Sequence, residues 1–290
     1  MLKIVGYLLV FVATFGGFFL GGGTMGIITH AILPAFPGEA LTILGCAVAA
    51  FMIANTPHTI KSTISYLKKI TKPEAYSKQD YLELLSVLFS IFKLARAKGW
   101  LALEMHIEKP EESELFKSFP GFANNHHAIV FLTDYLRIIS LGNENAHELE
   151  ALMDEEIDTL RADAMHPGHA IQQMADGIPA LGIVAAVLGI IKTMASITEP
   201  PEILGELVGH ALVGTFLGVW FAYGFIGPTA GAVTSRAESE IKYYAVMKTA
   251  ILAFLQGAAA QVAVEFARKT LHHRSEEHTS ELQSLACISY

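Results

Sequence analysis

Residues 178–228 hold two long apolar stretches separated by a turn that no helix runs through, and few folds accommodate that pattern. The first stretch covers 178–197, the second covers 203–226, and Gly227-Pro228 follows. About 20 helical residues at roughly 1.5 Å each span the roughly 30 Å hydrocarbon core of a bilayer, so each stretch can cross one. Between them, Thr198-Glu199-Pro200-Pro201-Glu202 ends the first helix, because adjacent prolines remove donors and clash with the preceding turn. The pair reads as a membrane hairpin.

The hairpin has no acid at its centre. Residues 178–197 carry Lys192 as their one formal charge, and beyond Glu206 the notable polar groups are His210, Thr215 and Tyr223. Small residues take the place of charge: Gly182, Ala186 and Gly189 lie three or four apart, and Gly214 and Gly218 form a GxxxG pair. In lipid, helices associate by packing and not by expelling water, so such faces imply a close helical neighbour. That neighbour is either another helix of this chain or a second protein, and the spacing does not choose between them.

Composition supports a polytopic membrane protein with one polar part. Of 290 residues, 52% are hydrophobic and 17% charged, richer in apolar side chains than an ordinary soluble domain. The net charge of -8 is spread without a basic block, which gives no reason to expect nucleic acid as a partner. Two cysteines, Cys46 in an apolar stretch and Cys287 near the end, support neither a disulfide framework nor a thiolate metal site. His126-His127 and His166 with His169 lack an acid or cysteine at ligand spacing, so no metal is expected.

In chain order, residues 1–54 read as transmembrane helices 1 and 2. The first is a retained span and not a cleaved leader, since Gly21-Gly22-Gly23 follows it; the second begins near Glu39. Residues 55–170 carry twelve Lys or Arg and read as a cytoplasmic helical domain, with helical spacing over 81–97, 100–108, 127–141 and 146–164 and a break at Gly99. Transmembrane helices 3 and 4 occupy 171–228, and 229–273 form a C-terminal cytoplasmic helical region interrupted near Gly257. Residues 274–290 have no sustained apolar period and look like a non-native or disordered tail. Basic residues gather after the second and fourth spans, six of them beyond Pro228, which puts both termini on the cytoplasmic side. The expected fold is all-α, with four transmembrane helices and a helical cytoplasmic domain.

Several blocks in order carry a resemblance. Pro34-Ala35-Phe36-Pro37-Gly38-Glu39-Ala40, Glu150-Ala151-Leu152-Met153-Asp154-Glu155-Glu156-Ile157, and Pro179-Ala180-Leu181-Gly182-Ile183-Val184-Ala185-Ala186-Val187-Leu188-Gly189 are three of them. His210-Ala211-Leu212-Val213-Gly214-Thr215-Phe216-Leu217-Gly218, Ala222-Tyr223-Gly224-Phe225-Ile226-Gly227-Pro228 and Ala263-Val264-Glu265-Phe266-Ala267-Arg268-Lys269-Thr270-Leu271 complete the set. Together they resemble the MotA family of flagellar motor stator proteins, within the MotA/TolQ/ExbB proton channels, over residues 1–271.

The resemblance implies a multi-pass subunit of the bacterial inner membrane, not an enzyme and without a cofactor, that couples proton flow to flagellar rotation. It implies a homo-oligomer, a pentamer around a MotB dimer, in which a membrane aspartate of MotB carries the ion. That fits a hairpin without a central carboxylate. An ExbB- or TolQ-like energiser of outer-membrane processes is the alternative. A self-contained transporter is a third reading, and should carry its own intramembrane carboxylate.

It also assigns residues. Pro179 and Pro228 couple ion flow to movement, although prolines at those places also simply start and stop helices. Thr215 faces the MotB aspartate, or else bonds its own backbone as helical threonines do. Tyr223 joins the ion path. Ala186, two turns after Pro179, occupies a position where sodium-driven relatives carry threonine, so alanine favours protons. Arg96 and Glu104, on either side of Gly99, meet charges on the rotor protein FliG, or else are solvated surface charges. Arg137 and Glu150 read as structural. Glu206 and His210, one turn apart, cap, pack or guide protons at the outer mouth.

Overall fold

The computed structural model describes residues 2–72 and 75–271; the tail 274–290 lies outside them. Among the described residues the principal helices are, in order, α1 (Leu2–Leu20), α2 (Leu33–Ala54), α3 (Pro57–Lys69), α4 (Lys78–Lys98), α5 (His126–Ser140), α6 (Ala146–Ala195), α7 (Pro201–Phe221), α8 (Gly227–Leu255) and α9 (Ala260–Lys269). Among the described residues, four helical stretches are long and apolar enough to cross a membrane, namely Leu2–Leu20, Met25–Ala54, Ala146–Ala195 and Pro201–Leu255. The all-α class and the four spans agree with the sequence.

Three boundaries differ from expectation, and prolines cause each difference. The second span starts at Met25, not near Glu39: helix runs through a π turn at Ile28–Ile32 into α2 and continues past Pro34 and Pro37. Pro179 starts nothing, because α6 runs unbroken for 50 residues with Pro167 and Pro179 inside it. Pro228 stops nothing either, since it is the second residue of α8. A proline costs a helix one donor and a clash with the carbonyl four residues back, and the first turn of a helix or a long well-packed one tolerates both.

The chain forms two compact units. Among the described residues, the first comprises 2–72 and 165–235, and the second 75–164 and 236–271. In the first, α2, the membrane part of α6 and α7 close on a core of Ile43, Ala47, Ile178, Ala185, Val213 and Leu217. A smaller cluster gathers Ile70, Ile171, Ala230 and Val233. Helix α1 buries no residue. It is held laterally by Phe11 edge-on to Trp220 at 4.7 Å and by a 3.0 Å hydrogen bond from Trp220 Nε1 to Thr14 Oγ1.

The second unit is built like a soluble bundle. Leu84, Leu88, Phe92, Leu132, Tyr135, Met153, Tyr243, Met247 and Ile251 meet in one core. Helix α4 opens with a capping box between Ser77 and Asp80 and ends at Gly99, whose φ of 77° is open to glycine and costly for other residues. Gly257, at φ 93°, makes the corresponding break between α8 and α9. Glu83 reaches the turn Pro120–Ala123 and accepts from the Gly121 and Phe122 amides at 2.6 and 3.2 Å, satisfying donors at a helix start.

Candidate functional site

The small residues of the hairpin meet each other. A Cβ on Gly218 would lie 2.8 Å from Gly182 Cα, one on Gly189 would lie 2.7 Å from Ala211 Cβ, and one on Gly214 would lie 3.0 Å from the Ala186 nitrogen. Real side chains do not fit at those separations, so α6 and α7 touch backbone to backbone along the whole seam. The neighbour that the glycines imply is therefore the other arm of the same hairpin.

The opposite side of α7 is what remains open. Thr215 is exposed there, between Leu212 and Val219, which are 62% and 46% exposed. Val208 above and Tyr223 below, 45% and 69% exposed, extend the stripe at three- and four-residue steps. Ala186 is not on it: only 8% exposed, it packs in the seam. Of these two expected ion-path residues, Thr215 is thus on the open side of α7 and Ala186 in the seam. Pro179 is half-buried inside α6, and Pro228 is exposed.

Both π turns precede a proline by one residue. Leu33 donates its amide to the Ile28 carbonyl and Gly227 to the Ala222 carbonyl, each five residues back, and Pro34 and Pro228 come next. Widening the turn moves aside the carbonyl that the proline ring would strike. For Pro34 that carbonyl belongs to His30, and it accepts a hydrogen bond from His210 Nε2 at 3.1 Å. A carbonyl only accepts, so Nε2 carries a proton in this contact. Glu206 Oε1 lies 3.9 Å from the same nitrogen.

Glu39 is the residue that sequence reasoning missed. It looked like the polar start of a span, yet it sits inside the helical stretch Met25–Ala54. Its carboxylate is wedged against α7: a Cβ on Gly214 would lie 2.6 Å from Glu39 Oε2. Two prolines and a glycine before it disguised the helix; the signal available was the unbroken apolar character on both sides.

In the other unit, Arg96 and Glu104 are both exposed, on either side of Gly99. Arg96 donates to the Ala258 carbonyl at 3.2 Å, which ties the end of α4 to the turn before α9. Glu104 opens the short helix Glu104–Glu108 beside Leu101 and Met105, which are 77% and 79% exposed. Glu265 on α9 is bonded by Arg268 at 2.6 and 2.8 Å, which holds its carboxyl below the usual carboxylate range. Arg137 pairs with Glu108 and Asp134, and Lys248 pairs with Glu150 and Asp154, so Arg137 and Glu150 both have internal partners. The His126 and His127 rings lie 6.2 Å apart, and among the described residues no three His, Cys, Asp or Glu come together as a metal would need.

Comparison with known proteins decides the family. Residues 4–99 match the motility protein A N-terminal family, and residues 124–246 match the MotA/TolQ/ExbB proton channel family. Motility protein A of Salmonella typhimurium is 38% identical over 98% of this chain and 94% of its own length. The chain belongs to the motility protein A family. Motility protein A of Escherichia coli matches at the same identity and coverage. In structure, the flagellar MotAB stator complex from Bacillus subtilis matches with a TM-score of 0.73 at 25% identity, over 96% of this chain and 98% of that one. The match to the N-terminal family over 4–99 favours a motility protein over the ExbB and TolQ branch.

Proposed function

We propose that this chain is the channel-lining subunit of a proton-driven flagellar stator, working in the bacterial inner membrane with both termini in the cytoplasm. The observation that carries the reading is the exposed face of α7: Thr215 is the one hydroxyl at the middle of an apolar stripe, on a hairpin without a central acid. Such a face suits a neighbouring helix that brings its own carboxylate, because a charge in lipid is tolerated only against protein or water. The named stator complex from Bacillus subtilis supports a MotB-like partner and an oligomeric ring. We take the ring as five copies around a MotB dimer.

Protonation of the partner's aspartate removes its charge, lets its helix shift against the Thr215 face and moves the ring one subunit at a time. A change of charge state then biases a two-state interface. Pro179 and Pro228 are the joints of that movement, and Tyr223 lines the inner part of the path. Ala186 lies behind Thr215 in the seam; a small residue without an oxygen there supports protons over sodium. The ion is the only species the protein handles. Arg96 and Glu104 pass the motion to the rotor protein FliG, and exposed charges of this kind set register and encounter more than affinity.

Motility of cells expressing the chain with its partner tests the reading. Thr215→Val and Arg96→Glu each reduce swimming, and a Glu104 reversal restores part of what a reversal on the rotor removes. Swimming that survives Thr215→Val and Arg96→Glu together overturns the assignment, and motility that follows sodium and ignores the proton gradient overturns the choice of ion.

A further inference from the structure

Glu39 is an acid inside a membrane span without a paired cation among the described residues. It makes no hydrogen bond or ion pair with any described residue, and it is half-buried between α2 and α7. Its Oε2 lies against Gly214, the residue before Thr215, at a spot where a Cβ would come within 2.6 Å. An ionisable group in the hydrocarbon region is expensive, and structural demands alone would be met by a Leu or Gln of similar size. A side chain at Gly214 would displace the Glu39 carboxylate and press on the Ala186 nitrogen at 3.0 Å.

Toward the outer end of α7, one turn before Gly214, stands His210. Its Nε2–H is committed to the His30 carbonyl, which leaves Nδ1 as the ring nitrogen outside that contact. Glu206 lies one further turn out, 3.9 Å from the ring. Among the other elements packed here, α1 offers only Tyr7 beyond Lys3, and the membrane part of α6 offers only the exposed Lys192. Glu206, His210 and Glu39 therefore form a descending series of titratable groups along one side of α7, ending beside Thr215.

We propose that Glu39 is a proton-carrying residue of this chain, loaded from the outer side through His210 and unloading toward the ion path at Thr215. The step balances simply: the Glu39 carboxylate takes one proton, from the His210 imidazolium or from water, and becomes a carboxylic acid. It then releases that proton to the next acceptor and returns to carboxylate. This rests on the stator reading and adds to it a titratable group supplied by the chain itself.

The test is proton uptake by vesicles containing the whole complex, across a range of external pH, with a pH-sensitive dye and a potassium diffusion potential. Glu39→Gln and Glu39→Asp are compared with the parent, and the amount of assembled complex is measured for each. The expected result is a tenfold or greater loss of flux in Glu39→Gln, substantial recovery in Glu39→Asp, and a pH profile that flattens in His210→Gln. Equal flux in Glu39→Gln and the parent, or equal loss in Glu39→Gln and Glu39→Asp, overturns the proposal and leaves the stator reading standing. No flux from the assembled parent complex overturns both.

Discussion

His210 Nε2 donates to the carbonyl of His30 at 3.1 Å, and that carbonyl is the one Pro34 cannot serve. In a regular helix the amide four residues on would bond it; at position 34 there is no amide. A side chain from α7 therefore takes over a backbone duty on the second membrane span. This one contact ties the entry of that span to the hairpin.

Replacing His210 by Leu removes the donor to an exposed carbonyl. The expected cost is about 1 kcal/mol, the usual net worth of one hydrogen bond. His210→Gln, which keeps an N–H at similar reach, costs less. Thermal unfolding of the detergent-solubilised protein, with both variants in parallel, measures the difference; equal melting of Leu and Gln variants would show that the contact contributes nothing.

The seam of α6 and α7 predicts intolerance at Gly218. An alanine there would bring Cβ to 2.8 Å from Gly182 Cα, a contact with backbone that no rotamer relieves. Overpacking of this kind costs roughly 1–3 kcal/mol, and valine costs more than alanine. Gly205→Ala is the control, because nothing lies within 4 Å of a Cβ at that position. The readout is the yield of folded protein after extraction, with Gly218→Val lowest and Gly205→Ala unchanged.

Three tyrosines make the second unit sensitive to alkali. Burial pushes the hydroxyls of Tyr135, Tyr243 and Tyr244 well above the ordinary phenol range, and for Tyr135 the 2.6 Å bond to Glu156 adds to the effect. A raised folded-state value means the stabilisation is complete below the unfolded value, about 10, and is lost as pH rises above it. Phenolate absorbance should thus appear together with loss of helix above about pH 10, not before it. Tyr135→Phe should move that transition upward; phenolate signal from all nine tyrosines while the helices persist would contradict this.

Glu83 should prove a structural anchor. As glutamine it would keep one acceptor but lose the charge that strengthens its bonds to the Gly121 and Phe122 amides, with a cost of about 1 kcal/mol; alanine would cost about 2. Hydrogen exchange at Gly121 and Phe122 reports it directly. Protection there that is unchanged in Glu83→Ala would refute the anchor.

Much of the membrane unit is legible from apolar runs alone, because 20 residues without acids have few uses other than spanning. What hid was everything that depends on how proline is accommodated. Pro34, Pro37, Pro179 and Pro228 each look like punctuation, and each lies inside or just inside a helix, since a π turn or a long helix absorbs the missing donor. Glu39 was lost with them, as an acid at the apparent start of a span needs no explanation. The glycine stripe was read correctly as a contact, but spacing cannot name the contacting helix: Gly182 and Gly218 face each other only because the Pro200-Pro201 turn brings α6 and α7 antiparallel and in register. Thr215 stood out as the one hydroxyl in mid-span; that it is exposed while Ala186 is buried needed coordinates.

Each π turn adds one residue to a helix without breaking it, and an added residue rotates everything after it by about 100°. Counting by threes and fours from Leu212 stays in phase as far as Val219 and then drifts, so the residues past 226 point elsewhere than the count predicts. A substitution scan through 203–255 should accordingly show two sensitivity rhythms with a phase slip between them, at Ala222–Ile226. Deleting a single residue within that turn would erase the slip and turn the whole inner end of the helix to a wrong heading, an injury out of proportion to the loss of one side chain.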